Sequence, residues 1–412
     1  MGKPINLVGM GDDGCLGLSA RAHQAIVKAQ VLVGGARSLE FFPDFKGTTL
    51  VLKDGIVKVL ERAIELSYEN DVTVLASGDP LFYGIGKLLL KKAGAEHVEV
   101  IPQPSAMQWA FAKAGLSWDD ADIISLHGRP IEGLITKVRD SLKVGLFTDG
   151  ENSPPRIAQR LLEYGLTDFN CHVCEHLCGP GERVRQFSVE DLAKAGEIDP
   201  LNVLILERPE AKPSPVFGLI AEEDYARRMP KKGLITKKEV RALSLAALNL
   251  TPTSVVWDVG AGSGSVSIEA ALVARKGWVY GIECDPVGVE IMEENLRRFA
   301  VDNVRIVPHR APQALEGLEA PDAVFVGGSK GELREIMALS FDALKPGGRL
   351  VVNAVTLESV TEARLGFQDI GLLPELSLIQ VSRGSPLAGK YLRYDALNPI
   401  HMFYGTKPRE EA

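Results

Sequence analysis

A chain of 412 residues exceeds what one hydrophobic core ordinarily supports, so two domains are expected. Its 45% hydrophobic and 24% charged residues are those of a globular protein and exclude a fibrous or disordered chain. The net charge of -8 argues against general attraction to nucleic acid or anionic membrane, which leaves a small molecule as the expected partner.

The opening residues run directly into a short apolar stretch, without the long apolar core of a signal peptide. No apolar run reaches the roughly 18 residues of a membrane-spanning helix. A cytoplasmic protein without a membrane partner is expected. Five cysteines at uneven spacing fit reduced thiols better than a disulfide framework.

In chain order, apolar runs at 5–9, 31–33, 72–76 and 98–101 end at glycine, serine or proline and read as buried strands. Apolar residues at helical spacing over 18–29 and 56–67 predict helices between them. The run 72–76 leads into Ser77-Gly78-Asp79-Pro80, a strand entering a tight turn. Residues 170–177 alternate as a strand would, placing His172, Cys174, His176 and Cys178 on one face. Neighbours on that face stand about 6.6 Å apart along an extended strand, so four cannot close around one metal and none is expected.

Pro209, Pro213 and Pro215 forbid a continuous helix and mark an extended connector. Domains are therefore expected at 1–206 and 232–412, with a linker over 207–231. Beyond it, Arg227, Arg228, Lys231, Lys232, Lys237, Lys238 and Arg241 form the densest basic run. A second strand series follows at 255–259, 279–282, 304–307, 323–326 and 350–353, with helices over 266–274 and 287–299. Alternating strands and helices in both halves predict α/β architecture with largely parallel sheets.

The strand 255–259 ends in Gly260-Ala261-Gly262-Ser263-Gly264, a glycine turn that would bring a ligand against backbone amides at a helix start. In the dinucleotide fingerprint the third glycine falls where Ser265 stands, so the early Gly264 disfavours NAD. Glu283 closes the next strand about 20 residues on, where ribose hydroxyls need an acceptor. The spacing points to a nucleoside site, and the glycines tip it toward S-adenosyl-L-methionine (SAM).

These segments, with Gly233-Leu234-Ile235-Thr236, Pro308-His309-Arg310-Ala311-Pro312 and Val326-Gly327-Gly328-Ser329, resemble the carbon 15-methylating, decarboxylating enzymes of corrin synthesis. The resemblance implies a Rossmann-like class I, seven-stranded methyltransferase fold, with Thr236, Gly260, Ala261, Gly262, Ser263, Gly264, Glu283 and Ala311 contacting SAM. Glu283 stands where many relatives have Asp. In the first half, the Gly-Asp-Pro turn is followed by Pro104-Ser105-Ala106, Ser125-Leu126-His127-Gly128-Arg129 and Asp149-Gly150-Glu151-Asn152-Ser153-Pro154. That order resembles the tetrapyrrole methylases that methylate carbon 5. The resemblance implies a two-lobed class III fold with SAM in the cleft, contacted by Gly78, Asp79, Gly84 and Ser105. In that family the opening loop Gly9-Met10-Gly11-Asp12 faces the substrate, and Asp12 and Asp13 depart from its usual Gly-Pro-Gly.

Together the two resemblances imply a SAM-dependent enzyme that methylates precorrin-6Y at carbons 5 and 15, decarboxylates the carbon 12 acetate and yields precorrin-8X. Assembly from identical subunits is also implied. A tetrapyrrole bearing many carboxylates needs cationic partners, for which Arg241, Arg383, Lys390 and Arg393 are candidates; Arg241, Arg383 and Arg393 are the first to test for decarboxylation. Three other readings compete: a class I RNA or protein methyltransferase with a targeting first half, an NAD dehydrogenase, and a first half that only carries tetrapyrrole.

Overall fold

The computed structural model describes residues 2–53, 55–210, 220–227, 235–387 and 389–409. Gly233, Leu234, Arg228, Lys231, Lys232 and the middle of the proline-rich connector lie outside the described residues. The strands are β1 (Ile5–Met10), β2 (Val31–Gly34), β3 (Thr48–Val51), β4 (Val72–Ser77), β5 (Val98–Ile101), β6 (Asp122–Ser125), β7 (Lys143–Phe147), β8 (Asn170–Glu175), β9 (Arg183–Ser188), β10 (Asn202–Glu207), β11 (Val255–Val259), β12 (Trp278–Ile282), β13 (Val304–Val307), β14 (Ala323–Val326), β15 (Arg349–Ala354), β16 (Glu375–Ile379), β17 (Ser382–Leu387), β18 (Tyr391–Ala396) and β19 (Ile400–Thr406). Contacts group the chain into two compact units: Met1–Ile131, Ser141–Leu162 and Thr167–Ala211 in one, Glu132–Asp140, Glu163–Leu166 and Lys212–Ala412 in the other.

The first unit holds two sheets. One is parallel, in the order β3-β2-β4-β1-β5. Its apolar strands are covered on both faces, as parallel sheets require. Leu7, Val33 and Val74 pack with Leu60 and Leu89, while Val8, Leu32 and Leu75 pack with Ala22 and Ile26. The helix Ala20–Lys28 starts where the Ser19 side chain accepts the Ala22 amide.

The second sheet runs β6-β7-β10-β8-β9, and only β6 and β7 pair in parallel. The expectation of largely parallel sheets is corrected here. The seven residues between β8 and β9 are too few for the crossover of a dozen or so that a parallel pair needs. The predicted alternation over 170–177 also stops short. His176 and Cys178 have left-handed backbones, φ 47° and 65°, so they leave the strand and do not share a face with His172 and Cys174.

In the second unit the sheet order is β13-β12-β11-β14-β15-β19-β16, with β19 antiparallel to both neighbours and the other pairs parallel. Helices Lys238–Leu248, Ser265–Val273 and Pro286–Arg298 cover one face through Leu245, Ile268 and Met292. Helices Leu333–Ala343 and Leu357–Asp369 cover the other through Ile336 and Phe367. Among the described residues β17 and β18 pair only with each other.

Candidate functional site

In the second unit the glycine turn leaves the carboxyl end of β11, the place where open α/β sheets bind ligands. Gly260 has φ 76°, and a Cβ there would stand 2.6 Å from the Gly328 carbonyl oxygen, so the backbone beyond β14 passes against a bare Cα. The Gly260 and Ala261 amides donate to the Ile282 carbonyl at 3.0 and 3.1 Å, tying the turn to the end of β12. Glu283 follows directly. Its carboxylate accepts the Gly262 amide at 2.8 Å and the Asp285 amide at 2.8 Å, and the residue is buried. The turn and the acid are therefore held together before any ligand arrives. Ala311 sits buried past the end of β13 on the same edge. Among the described residues the buried Ser263 hydroxyl has no hydrogen-bond partner, a group left for something that enters the turn.

Asp258, the next-to-last residue of β11, is fully enclosed. Its Oδ2 accepts the Ser267 hydroxyl at 2.5 Å while Oδ1 has no partner among the described residues. Burial pushes its carboxyl up to about 7, and the nearby Glu283 charge adds to this. The sequence held no signal for that shift, because it depends on enclosure by residues from several strands.

The four proposed substrate cations are not brought together at this turn. Arg241 has no exposed surface. Its guanidinium donates to Glu269 at 2.7 Å, to the Thr236 carbonyl at 2.7 Å and to the Ile220 carbonyl. Its role as an anion clamp is therefore corrected: every donor direction used is internal, and the pair pins Thr236 to the helix Ser265–Val273. Arg383 is likewise engaged, donating to Glu222 at 2.7 and 2.9 Å and to Glu239 at 3.0 Å. Arg383 holds the Glu222 carboxyl down to about 2. Two carboxylates already neutralise this guanidinium, so its assignment to substrate is corrected too. On β18, Arg393 pairs with Asp395 at 3.1 Å and Lys390 lies over the Tyr391 ring.

In the first unit Gly78, Asp79, Gly84 and Ser105 gather at the carboxyl edge of the parallel sheet. Gly78, φ 61°, donates its amide to the Met10 carbonyl at 2.7 Å, and a Cβ there would press on Ser105 at 3.3 Å. Asp79 accepts the Leu81 amide at 2.8 Å and so shapes the turn itself. Gly84 packs against the Pro80 carbonyl. Ser105 caps the helix Ala106–Ala114, its hydroxyl accepting the Gln108 amide while the Gln108 side chain accepts the Ser105 amide. The Ser105 hydroxyl keeps its own proton to donate. Tyr83, φ 57°, reaches the Ile123 carbonyl at 3.1 Å, linking this loop to β6.

Burial pushes the Cys171 and Cys174 thiols up to about 12 and the Cys178 thiol up to about 11, away from the thiolate form that binds metal. Among the described residues, no three His, Cys, Asp or Glu side chains are arranged to hold a metal ion, and no helix is long and apolar enough to cross a membrane.

A seven-stranded sheet with this order, a glycine turn and an adjacent acid stand on a chain that also carries a two-sheet unit with a Gly-Asp-Pro turn. Residues 4–193 match the family described as Tetrapyrrole (Corrin/Porphyrin) Methylases, and residues 228–407 the one described as Precorrin methyltransferase domain. A precorrin-6Y C(5,15)-methyltransferase [decarboxylating] from Sinorhizobium sp is 33% identical over 93% of this chain and 92% of its own length. A cobalt-precorrin-6B C(15)-methyltransferase (decarboxylating) from Salmonella typhimurium is 40% identical over 40% of this chain and 85% of its own. A solved precorrin-6Y C5,15-methyltransferase from Geobacter metallireducens is 39% identical, covering 47% of this chain and 100% of its own, with a TM-score of 0.44. The chain belongs to the precorrin-6Y C(5,15)-methyltransferase (decarboxylating) family.

Proposed function

We propose that the chain binds SAM in each unit and methylates precorrin-6Y at carbon 5 in residues 1–206 and at carbon 15 in residues 232–412. The second unit also releases the carbon 12 acetate carboxyl as carbon dioxide, so that precorrin-8X is formed. The observation that carries this reading is the presence of both glycine-turn edges on one chain whose similarity to a two-site relative spans 93% of its length.

The residues fit the donor. Glu283 engages one lone pair of each oxygen with the Gly262 and Asp285 amides, which leaves acceptor capacity for a ribose diol. Ser263 offers an unengaged hydroxyl. When bound, SAM supplies an activated methyl group, so the protein's contribution is alignment and exclusion of water.

Assembly from identical subunits is supported by β18, where Tyr391, Leu392 and Tyr394 are 60%, 76% and 82% exposed, a patch of the kind that marks contact surfaces. Five free cysteines support a reducing, cytoplasmic setting. The full chain, given precorrin-6Y and SAM labelled in its methyl carbon, is expected to yield a product with two labelled methyl groups and one equivalent of carbon dioxide. A single labelled methyl, or no carbon dioxide, contradicts the reading.

A further inference from the structure

In the first unit, the turn after β8 presses an imidazole between two carboxylates contributed by different parts of the chain. His176 Nε2 lies 3.0 Å from Asp199, and Nδ1 lies 3.9 Å from Asp12. Asp12 belongs to the loop just beyond β1, beside the Gly-Asp-Pro turn, since the Gly78 amide binds the Met10 carbonyl. His176 thus extends from the second sheet to the edge of the first where the cofactor-type loops gather.

The placement is held from several sides. His176 has a left-handed backbone, its amide bound to the Leu201 carbonyl at 3.1 Å. Gly179 lets Asp12 approach, because a Cβ there would stand 2.5 Å from its Oδ2. Left-handed backbone at a non-glycine residue is costly and persists where the surroundings enforce it. The charged and titratable groups facing the imidazole are Asp12 and its partner Arg37 at 3.4 Å, Asp199 with Arg183 nearby, and Asp13, Cys178 and Glu182 around the turn.

We infer that His176 is the proton acceptor of the carbon 5 methylation, an inference that rests on the function proposed above. Replacing a bridge hydrogen by methyl releases one proton for each methyl gained, so a base must receive it. The Leu201 amide and the His176 ring hold the Asp199 carboxyl below its ordinary value. As an acceptor-only carboxylate, Asp199 selects the tautomer with hydrogen on Nε2 and leaves the lone pair on Nδ1. The new carbon–carbon bond forms as the sulfur–methyl bond breaks, and the electron pair stays on sulfur. The bridge carbon then bears both hydrogen and methyl. Nδ1 takes that hydrogen as a proton, and the carbon–hydrogen electron pair returns to the macrocycle. The resulting imidazolium faces Asp199 through one nitrogen and Asp12 through the other, the orienting logic of a His–carboxylate pair.

The test uses the full chain, precorrin-6Y and methyl-labelled SAM, with the two methyl products counted separately. His176→Gln is expected to lower kcat at carbon 5 by about 10²-fold, with KM nearly unchanged and the acidic limb of the pH profile removed. Carbon 15 methylation and carbon dioxide release should persist, and two equivalents of SAM still bound per chain report that the first unit is folded. Asp199→Asn should lower the same kcat by about tenfold and move that limb. A His176→Gln protein with wild-type kcat and an unchanged pH profile overturns the inference, as does equal loss at both carbons in both variants. If the wild-type chain gives no carbon 5 methylation, the proposed function itself fails, which is a separate outcome.

Discussion

The two units solve one problem differently. In the second, the glycine turn, its acid and the helix behind them all spring from the parallel strands of one sheet, and Glu283 is bound to the Gly262 amide at 2.8 Å without help from elsewhere. In the first, the corresponding edge is completed from a second sheet: Tyr83 reaches Ile123 on β6 and His176 reaches Asp12 from the end of β8. A site built on one sheet is local and therefore tolerant of changes far away. A site closed by two sheets depends on how those sheets pack, and substitutions in either should be felt there.

The largest effect expected from this contrast is in the second unit's framework. Arg241→Ala leaves Glu269 buried without its partner and should cost about 3–5 kcal/mol, read as an early unfolding transition in denaturant, with carbon 5 methylation surviving below that transition. Next is Gly260→Ala. It adds a Cβ against the Gly328 backbone at a left-handed position, and a displacement of about 1 Å at such a site lowers turnover by about 10²-fold; carbon 15 methylation should fall and carbon 5 methylation should not. Glu283→Gln retains the shape but weakens acceptance of the Gly262 amide. Loss of a charge-assisted hydrogen bond of about 1.5–3 kcal/mol should weaken SAM binding at the second site about tenfold or more, measured by calorimetry.

A further effect is one of pH. The Asp258 carboxyl is raised from 3.8 to about 7 in the folded state, so the native chain holds a proton that the unfolded chain releases. Stability is then full below the unfolded value and declines as pH rises toward 7. Asp258→Asn should flatten that slope in the second unit's unfolding midpoint. Arg393→Ala on β18 removes an exposed pair with Asp395 and should change stability by less than about 0.5 kcal/mol.

The second unit was the more legible from sequence. A β-branched run such as Val255–Val259 ending in three spaced glycines reports both the strand and its turn, and an acid one strand later completes the pattern within about 20 residues. The first unit's second sheet left a weaker trace, because β9 is polar and largely exposed and the pairing is mostly antiparallel. Arg241 and Arg383 were misread because their partners are remote in sequence. Glu269 lies 28 positions from Arg241, and Glu222 lies 161 from Arg383, so exposed cation and buried ion pair look alike until the chain is folded. His176 was grouped with the cysteines by strand alternation, which its left-handed backbone interrupts.

We propose that one chain carries two independent SAM sites. Equilibrium titration of the full chain with SAM, repeated on Gly260→Ala, tests it most directly. Two equivalents bound per wild-type chain and one per variant chain are expected, with the remaining affinity unchanged. One equivalent in the wild type, or none in the variant, would contradict it.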